Sequence, residues 1–180
     1  MRRNWLVSML TIAACGLLLA AGGAAAAAKG PAAAGGKANI MIYGVNTDGA
    51  YWHAIVSGVI GDYGPAVSIY PDGKIDPMHN SEMELRLTHG SFRLSIAALD
   101  KAFVKATSHE PTYPRTCSSF FHVTAAMPVI KGSGTGAYRG ITGSFQVTAT
   151  LNEVNPKPCA ASTRFLWQVI TLAGAGTVSV

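Results

Sequence analysis

Five histidines hold most of the titratable nitrogen suited to chemistry near neutral pH: His53, His79, His89, His109 and His122. Imidazole serves as a general base, and in its neutral form as a common metal ligand. Either use needs partners at short range. No H-x-H or H-x-x-x-H pair occurs, so no metal site is expected. His89 falls at a turn and His109 in a loop, where solvation is the plain reading. His53 and His122 fall in apolar, strand-like stretches. If the fold brings them together across an interior, they form a pair of general bases or a ligand clamp. Bonding to a neighbour within the sheet is the plainer role. His53, His122 and Trp167 are the candidate ligand-binding residues, and no catalytic residue is assigned.

Other reactive groups are sparse. No G-x-S-x-G elbow presents a nucleophilic serine. Asp72, Asp76 and Glu82 lie near one another but lack the alternating oxygen spacing that calcium requires, and solvated turn residues are the better account. Arg86 and Arg93 are expected to face each other across a hairpin, with Glu84 placed to bridge them. That is an anion site in one reading and a solvated outer face in the other. Cys117 and Cys159 are the two cysteines beyond the N-terminal segment. Two cysteines in an exported chain most often pair, and a disulfide between them is expected.

The stretch "GSGTGAYRGITGSFQVTAT", Gly132 to Thr150, raises the question of a phosphate cradle. A dinucleotide fingerprint needs a third glycine where Arg139 stands, and a P-loop needs a lysine that is absent. In both motifs the next element must be a helix. The residues after Gly143 instead form a period-2 run, with Phe145, Val147, Ala149 and Leu151 on one face. The glycines are therefore expected to bend a sheet and bring backbones close. No nucleotide or other cofactor is expected.

The elements that must position these groups are strands. "NIMIYGV" (39–45), "HAIVSGVI" (53–60) and "AVSIY" (66–70) are apolar, with a turn expected at Gly64-Pro65 and another at "PDGK" (71–74). "EMELRLTHGSFRLSIAAL" (82–99) reads as a hairpin turning at His89-Gly90, with Leu87 opposite Phe92 and Leu85 opposite Leu94. Residues 97–116 are ambiguous: a short helix is one option for the first half, and the second half, with Pro111 and Pro114, is a loop. Strands return at 118–130, 144–154 and 162–180. Short strands at close spacing, with glycine recurring inside them, predict an all-β fold: a single antiparallel barrel of about eight strands.

The first residues have a different character. Arg2 and Arg3 precede an apolar run from Trp5 to Ala21 and then a string of small residues. This is the layout of a secretory signal peptide over residues 1–28, cut between Ala24 and Ala28. Residues 29–37 come next as a flexible leader, and the barrel domain as residues 38–180. "IAAC" ending at Cys15 offers a lipobox, and hence a lipoprotein anchored at Cys15, as the minority alternative. The apolar residues after Cys15 argue against it. After cleavage no integral membrane span is expected, and the location is secreted, periplasmic or otherwise extracytoplasmic. The formal charge is +5 from 14 basic and 9 acidic residues. The basic residues are scattered rather than clustered on one face, which argues against nucleic-acid binding.

"GTGAYRGITGSF", with Gly134, Gly136, Tyr138, Gly140 and Gly143, resembles the GTGxYxGxxG segment of the allene oxide cyclase/dirigent-like β-barrel superfamily, which includes small exported bacterial members. The resemblance implies an eight-stranded barrel, often a homo-oligomer, with an apolar cavity. It carries no catalytic residue over. The expected function is an exported barrel protein that binds a small apolar ligand or a protein partner without catalysis. A cyclase- or dirigent-like enzyme acting on an apolar substrate is the second reading. A structural envelope or secreted protein is the third.

Overall fold

Alternation of buried and exposed residues assigns most of the strands in the computed structural model, which describes residues 35–45, 51–76, 81–109, 112–159 and 165–180. The predicted signal peptide, the Cys15 lipobox, most of the leader and His79 lie outside the described residues. Strands β1 (Gly36–Val45), β2 (Tyr51–Gly58) and β3 (Asp62–Ile69) are followed by the hairpin β4 (Glu82–Leu87) and β5 (Gly90–Ser95). A helix, α1 (Ala97–Thr107), leads to the two-residue β6 (Thr112–Tyr113). The long strands β7 (Ser118–Pro128), β8 (Thr142–Val154) and β9 (Trp167–Ser179) complete the chain. No helix among the described residues is long and apolar enough to cross a membrane.

All pairings are antiparallel, in the order β5-β4-β3-β2-β1-β9-β8-β7-β6. The sheet curls so that Ile40, Ile42, Leu85, Phe92, Phe145 and Val147 meet on its concave face and are almost wholly buried. It does not close. The two edge strands lie 29 Å apart, so the structure is an open, nine-stranded half-barrel rather than the predicted closed barrel of about eight strands. Glycine inside strands lets a sheet coil tightly: a Cβ at Gly174 or Gly176 of β9 would strike the β8 backbone. Closure is a separate matter, because it requires the two edges to pair. Here the chain leaves β5 as a helix. Helix α1 packs on β7, with Phe103 and Phe121 ring centroids 4.9 Å apart. β5 meets the chain just past β7 through a single β-bridge, Leu94 to Val129, and through hydrogen bonds from residues 130–137, not through a paired strand.

Two local expectations are corrected. Gly64 and Pro65 are not a turn. They lie inside β3, paired with Ala54 and His53 of β2. The β4–β5 hairpin exists on the expected faces, but its register is shifted by two: Leu85 faces Phe92, Met83 faces Leu94, and Thr88-His89 form the turn. Arg93 therefore lies opposite Glu84, not Arg86.

Cys117 and Cys159 are joined, with Cα atoms 4.7 Å apart. The bridge ties the start of β7 to the chain that leaves β8. Asn155 N–H also donates to the Cys117 carbonyl at 2.8 Å.

Candidate functional site

Asp62 opens β3, and its parity points it inward among apolar residues. A bare carboxylate there would be costly. Instead both oxygens collect donors, and the side chain is 1% exposed. Oδ1 accepts from Tyr63 N–H at 2.7 Å, Thr88 N–H at 3.2 Å and the Thr88 hydroxyl at 2.5 Å. Oδ2 accepts from His89 N–H at 3.1 Å, lies 3.1 Å from His89 Nδ1, and takes the Tyr138 hydroxyl proton in a short hydrogen bond. Burial pushes the Asp62 carboxyl up, but the bonds from Thr88, Tyr138, Tyr63 and His89 outweigh it and hold the group well below the usual carboxylate range. Burial, with the Asp62 bond and charge, pushes the Tyr138 phenol above its ordinary value. The arrangement fixes three segments to one carboxylate: β3, the β4–β5 turn and the glycine-rich segment.

The glycine-rich segment has a second task. An edge strand exposes unpaired backbone groups, and residues 130–137 cover those of β5. Ile130 N–H donates to the Arg93 carbonyl at 2.9 Å, Thr135 N–H to the Ser91 carbonyl at 2.8 Å, and Ala137 N–H to the His89 carbonyl at 2.9 Å. In return, Ser133 Oγ accepts from Arg93 N–H and Thr135 Oγ1 from Ser91 N–H, both at 2.9 Å. Hydroxyls here stand in for a neighbouring strand. Such close approach excludes a side chain at Gly136, whose Cβ would lie 2.4 Å from the His89 carbonyl oxygen; at Gly134 the obstacle is the segment's own fold, with a Cβ 1.8 Å from the Tyr138 carbonyl oxygen. The stretch is thus an edge cover containing one turn of 3-10 helix, Gly136–Tyr138, and the chain leaves Gly140 and Gly143 as strand β8. Tyr138 reaches Asp62 and meets Phe92 edge-on at 5.4 Å.

Arg93, Glu82 and Glu84 line a polar depression with Lys131, Ser133 and Thr135. Glu84 accepts from Arg86 Nε at 2.7 Å and lies 4.0 Å from Arg93 Nε. Arg93 also reaches Glu82 at 3.4 Å and the Pro71 carbonyl at 3.2 Å. Both arginines are matched by carboxylates, so this is an internally neutralised network on the outer face.

The concave face carries a cavity of about 90 Å³. Helix α1 and the residue before it supply Ile96, Leu99, Asp100 and Phe103, whose spacing places them on one helical face. The sheet supplies Trp52 and Met83 from one side, and Ala149, Ile170 and Leu172 from the other. Asp100 is the one ionisable group on this lining.

His53 and His122 do not line the cavity. Both stand on the outer face, in one cross-strand row that runs His53–Tyr43–Thr171–Thr150–His122. Three strands separate them, roughly 19 Å at ordinary strand spacing. His53 stacks on Tyr43 at 5.4 Å, and His122 lies near Phe120, with centroids 6.3 Å apart. Trp167, at the start of β9, is 43% exposed. Among the described residues, no three of His, Cys, Asp and Glu come together as a metal site.

Sequence reasoning missed Asp62, and it placed Trp52 only among the strand aromatics expected mostly in the core. A lone acid at an inward position of an apolar strand was the available signal for Asp62. Trp52 alternates with exposed Tyr51 and His53 and so points inward by parity. Comparisons of the chain with family models, curated proteins and solved structures each find no match.

Proposed function

We propose that the protein binds a small apolar molecule, or the apolar end of a longer one, between α1 and the concave face of the sheet, without converting it chemically. The observation that carries this reading is the cavity of about 90 Å³ bounded by Trp52, Leu99, Phe103, Ala149 and Leu172. Concave sites lined mainly by apolar side chains with few polar groups are where small apolar molecules bind. Its lining comes from a helix on one side and a sheet on the other, so a small displacement of α1 enlarges it. Asp100 supplies one polar contact for orientation.

Benzene and n-hexane are suitable probes. Titration should move the Trp52 indole N–H resonance and the α1 amides saturably, and should raise the melting temperature. Ala149→Phe, which fills the cavity from β8, should abolish both effects while leaving the fold intact. Absence of any saturable shift up to the solubility limit of both probes would sink the proposal.

A further inference from the structure

The outward positions of β3, β2, β1, β9, β8 and β7 carry a single formal charge, Lys37. A solvated sheet face ordinarily alternates its buried residues with charged and polar ones. Here large apolar side chains stand in adjacent rows instead. Tyr63 lies opposite Ile55, and Ile55 opposite Met41. In the next row Pro65 lies opposite His53, and His53 opposite Tyr43. Tyr51 and Val45, at the neighbouring ends of β2 and β1, extend the cluster. Exposure is 66% for Tyr63, 58% for Tyr51, 54% for Val45, 50% for Ile55 and 46% for Met41.

We infer that this β1–β2–β3 outer patch is the contact surface between two copies of the chain. Two arguments favour a second copy over another occupant. The first is area. At these exposures the five side chains present on the order of 500 Å², at the upper end of the largest patch on an ordinary monomer. The residues around them, His53, Pro65, Asn39 and Ser57, bring the face toward the roughly 800 Å² per partner of a standard interface. The second is charge. A two-fold interface sets a patch against itself, so any charge in it meets its own like. This face carries no Lys, Arg, Asp or Glu near its centre. It also lacks the basic residues that draw a protein to an anionic membrane or to nucleic acid.

Sedimentation velocity of the full chain across the micromolar range tests this. The wild type should sediment as a dimer. Ile55→Lys and Met41→Lys place a charge that occurs twice in the interface, and should raise the dimer Kd roughly 100-fold or more. Thr124→Lys, on β7 of the same outer face but outside the patch, should leave the dimer unchanged. Ile55 and Met41 are half exposed, and circular dichroism should show that the variants fold. A second measurement needs no variant: radical footprinting of Tyr51 and Tyr63 should fall as concentration rises through the dimer range. A monomeric wild type, a dimer that Ile55→Lys leaves intact, or tyrosine labelling independent of concentration would overturn the inference. Association driven by the N-terminal apolar segment shows itself as the second of these outcomes. A monomer whose patch binds neutral vesicles would assign the surface to a different occupant and also overturn it.

Discussion

Tyr138, in the glycine-rich segment, donates its hydroxyl to Asp62, which lies 76 residues earlier at the start of β3. The same carboxylate holds the backbone of Thr88 and His89 at the tip of the β4–β5 hairpin. One buried acid thereby locks the edge cover, the hairpin turn and the sheet in register. Tyr138→Phe keeps the edge-on contact with Phe92 and removes only the hydroxyl. A lost hydrogen bond to a charged group costs about 1.5–3 kcal/mol, and urea unfolding should show a loss in that range. A change below about 0.5 kcal/mol would mean that the remaining donors suffice.

Stability should fall at both ends of the pH scale through this pair. Asp62 is held below its ordinary value of 3.8, so below that pH the unfolded chain takes up a proton that the folded chain refuses. Its contribution is fully present above pH 3.8 and is lost as pH falls further. Tyr138 is pushed above 10.0, so above that pH the unfolded phenol ionises first and its contribution is lost as pH rises. Unfolding free energies measured from about pH 2 to pH 6 should show a shallower acid slope for Asp62→Asn than for the wild type. An identical slope would show that Asp62 is not held low.

Two glycines of one motif should respond differently to alanine. Gly136 and Gly140 both have positive φ, 56° and 92°. A methyl at Gly136 would also strike the His89 carbonyl, whereas nothing lies within 4 Å of one at Gly140. Gly140→Ala should therefore cost only backbone strain, about 1 kcal/mol. Gly136→Ala must also displace the edge cover and should cost more, with faster hydrogen exchange at the Ser91 and Arg93 amides. Equal costs would mean that the close approach to β5 has no energetic weight.

The Cys117–Cys159 bridge spans a sequence separation of 42 residues. Loop-closure entropy for such a span corresponds to about 3–4 kcal/mol. Replacing both cysteines with serine should lower the unfolding free energy by an amount of that order. A free-thiol assay on the unfolded, unreduced wild type should find neither Cys117 nor Cys159 reactive.

The strand positions and the buried face of β8 arise from local pattern, whereas the disulfide was read from the number of cysteines. Alternation of apolar and polar residues is a property of consecutive positions, and it selects a strand and its inner face without reference to the rest of the chain. The hairpin shows where that information stops. A shift of two residues leaves every side chain on its face, so the pattern of Met83, Leu85 and Leu87 against Phe92 and Leu94 permits either turn. The Asp62 carboxylate, reaching the Thr88 and His89 amides from another strand, accompanies the register that forms. Closure of the sheet is a long-range matter of the same kind. Glycines in β9 permit the curl. Whether the edges meet depends on what lies beside β5, and residues 130–137 occupy that place. The placement of His53 and His122 was equally beyond the sequence. Each lies at an outward position, and their separation is set by the order β2-β1-β9-β8-β7, in which β9, the last strand of the chain, pairs between β1 and β8. Strand order comes from pairing between residues far apart in the chain, which no local pattern records.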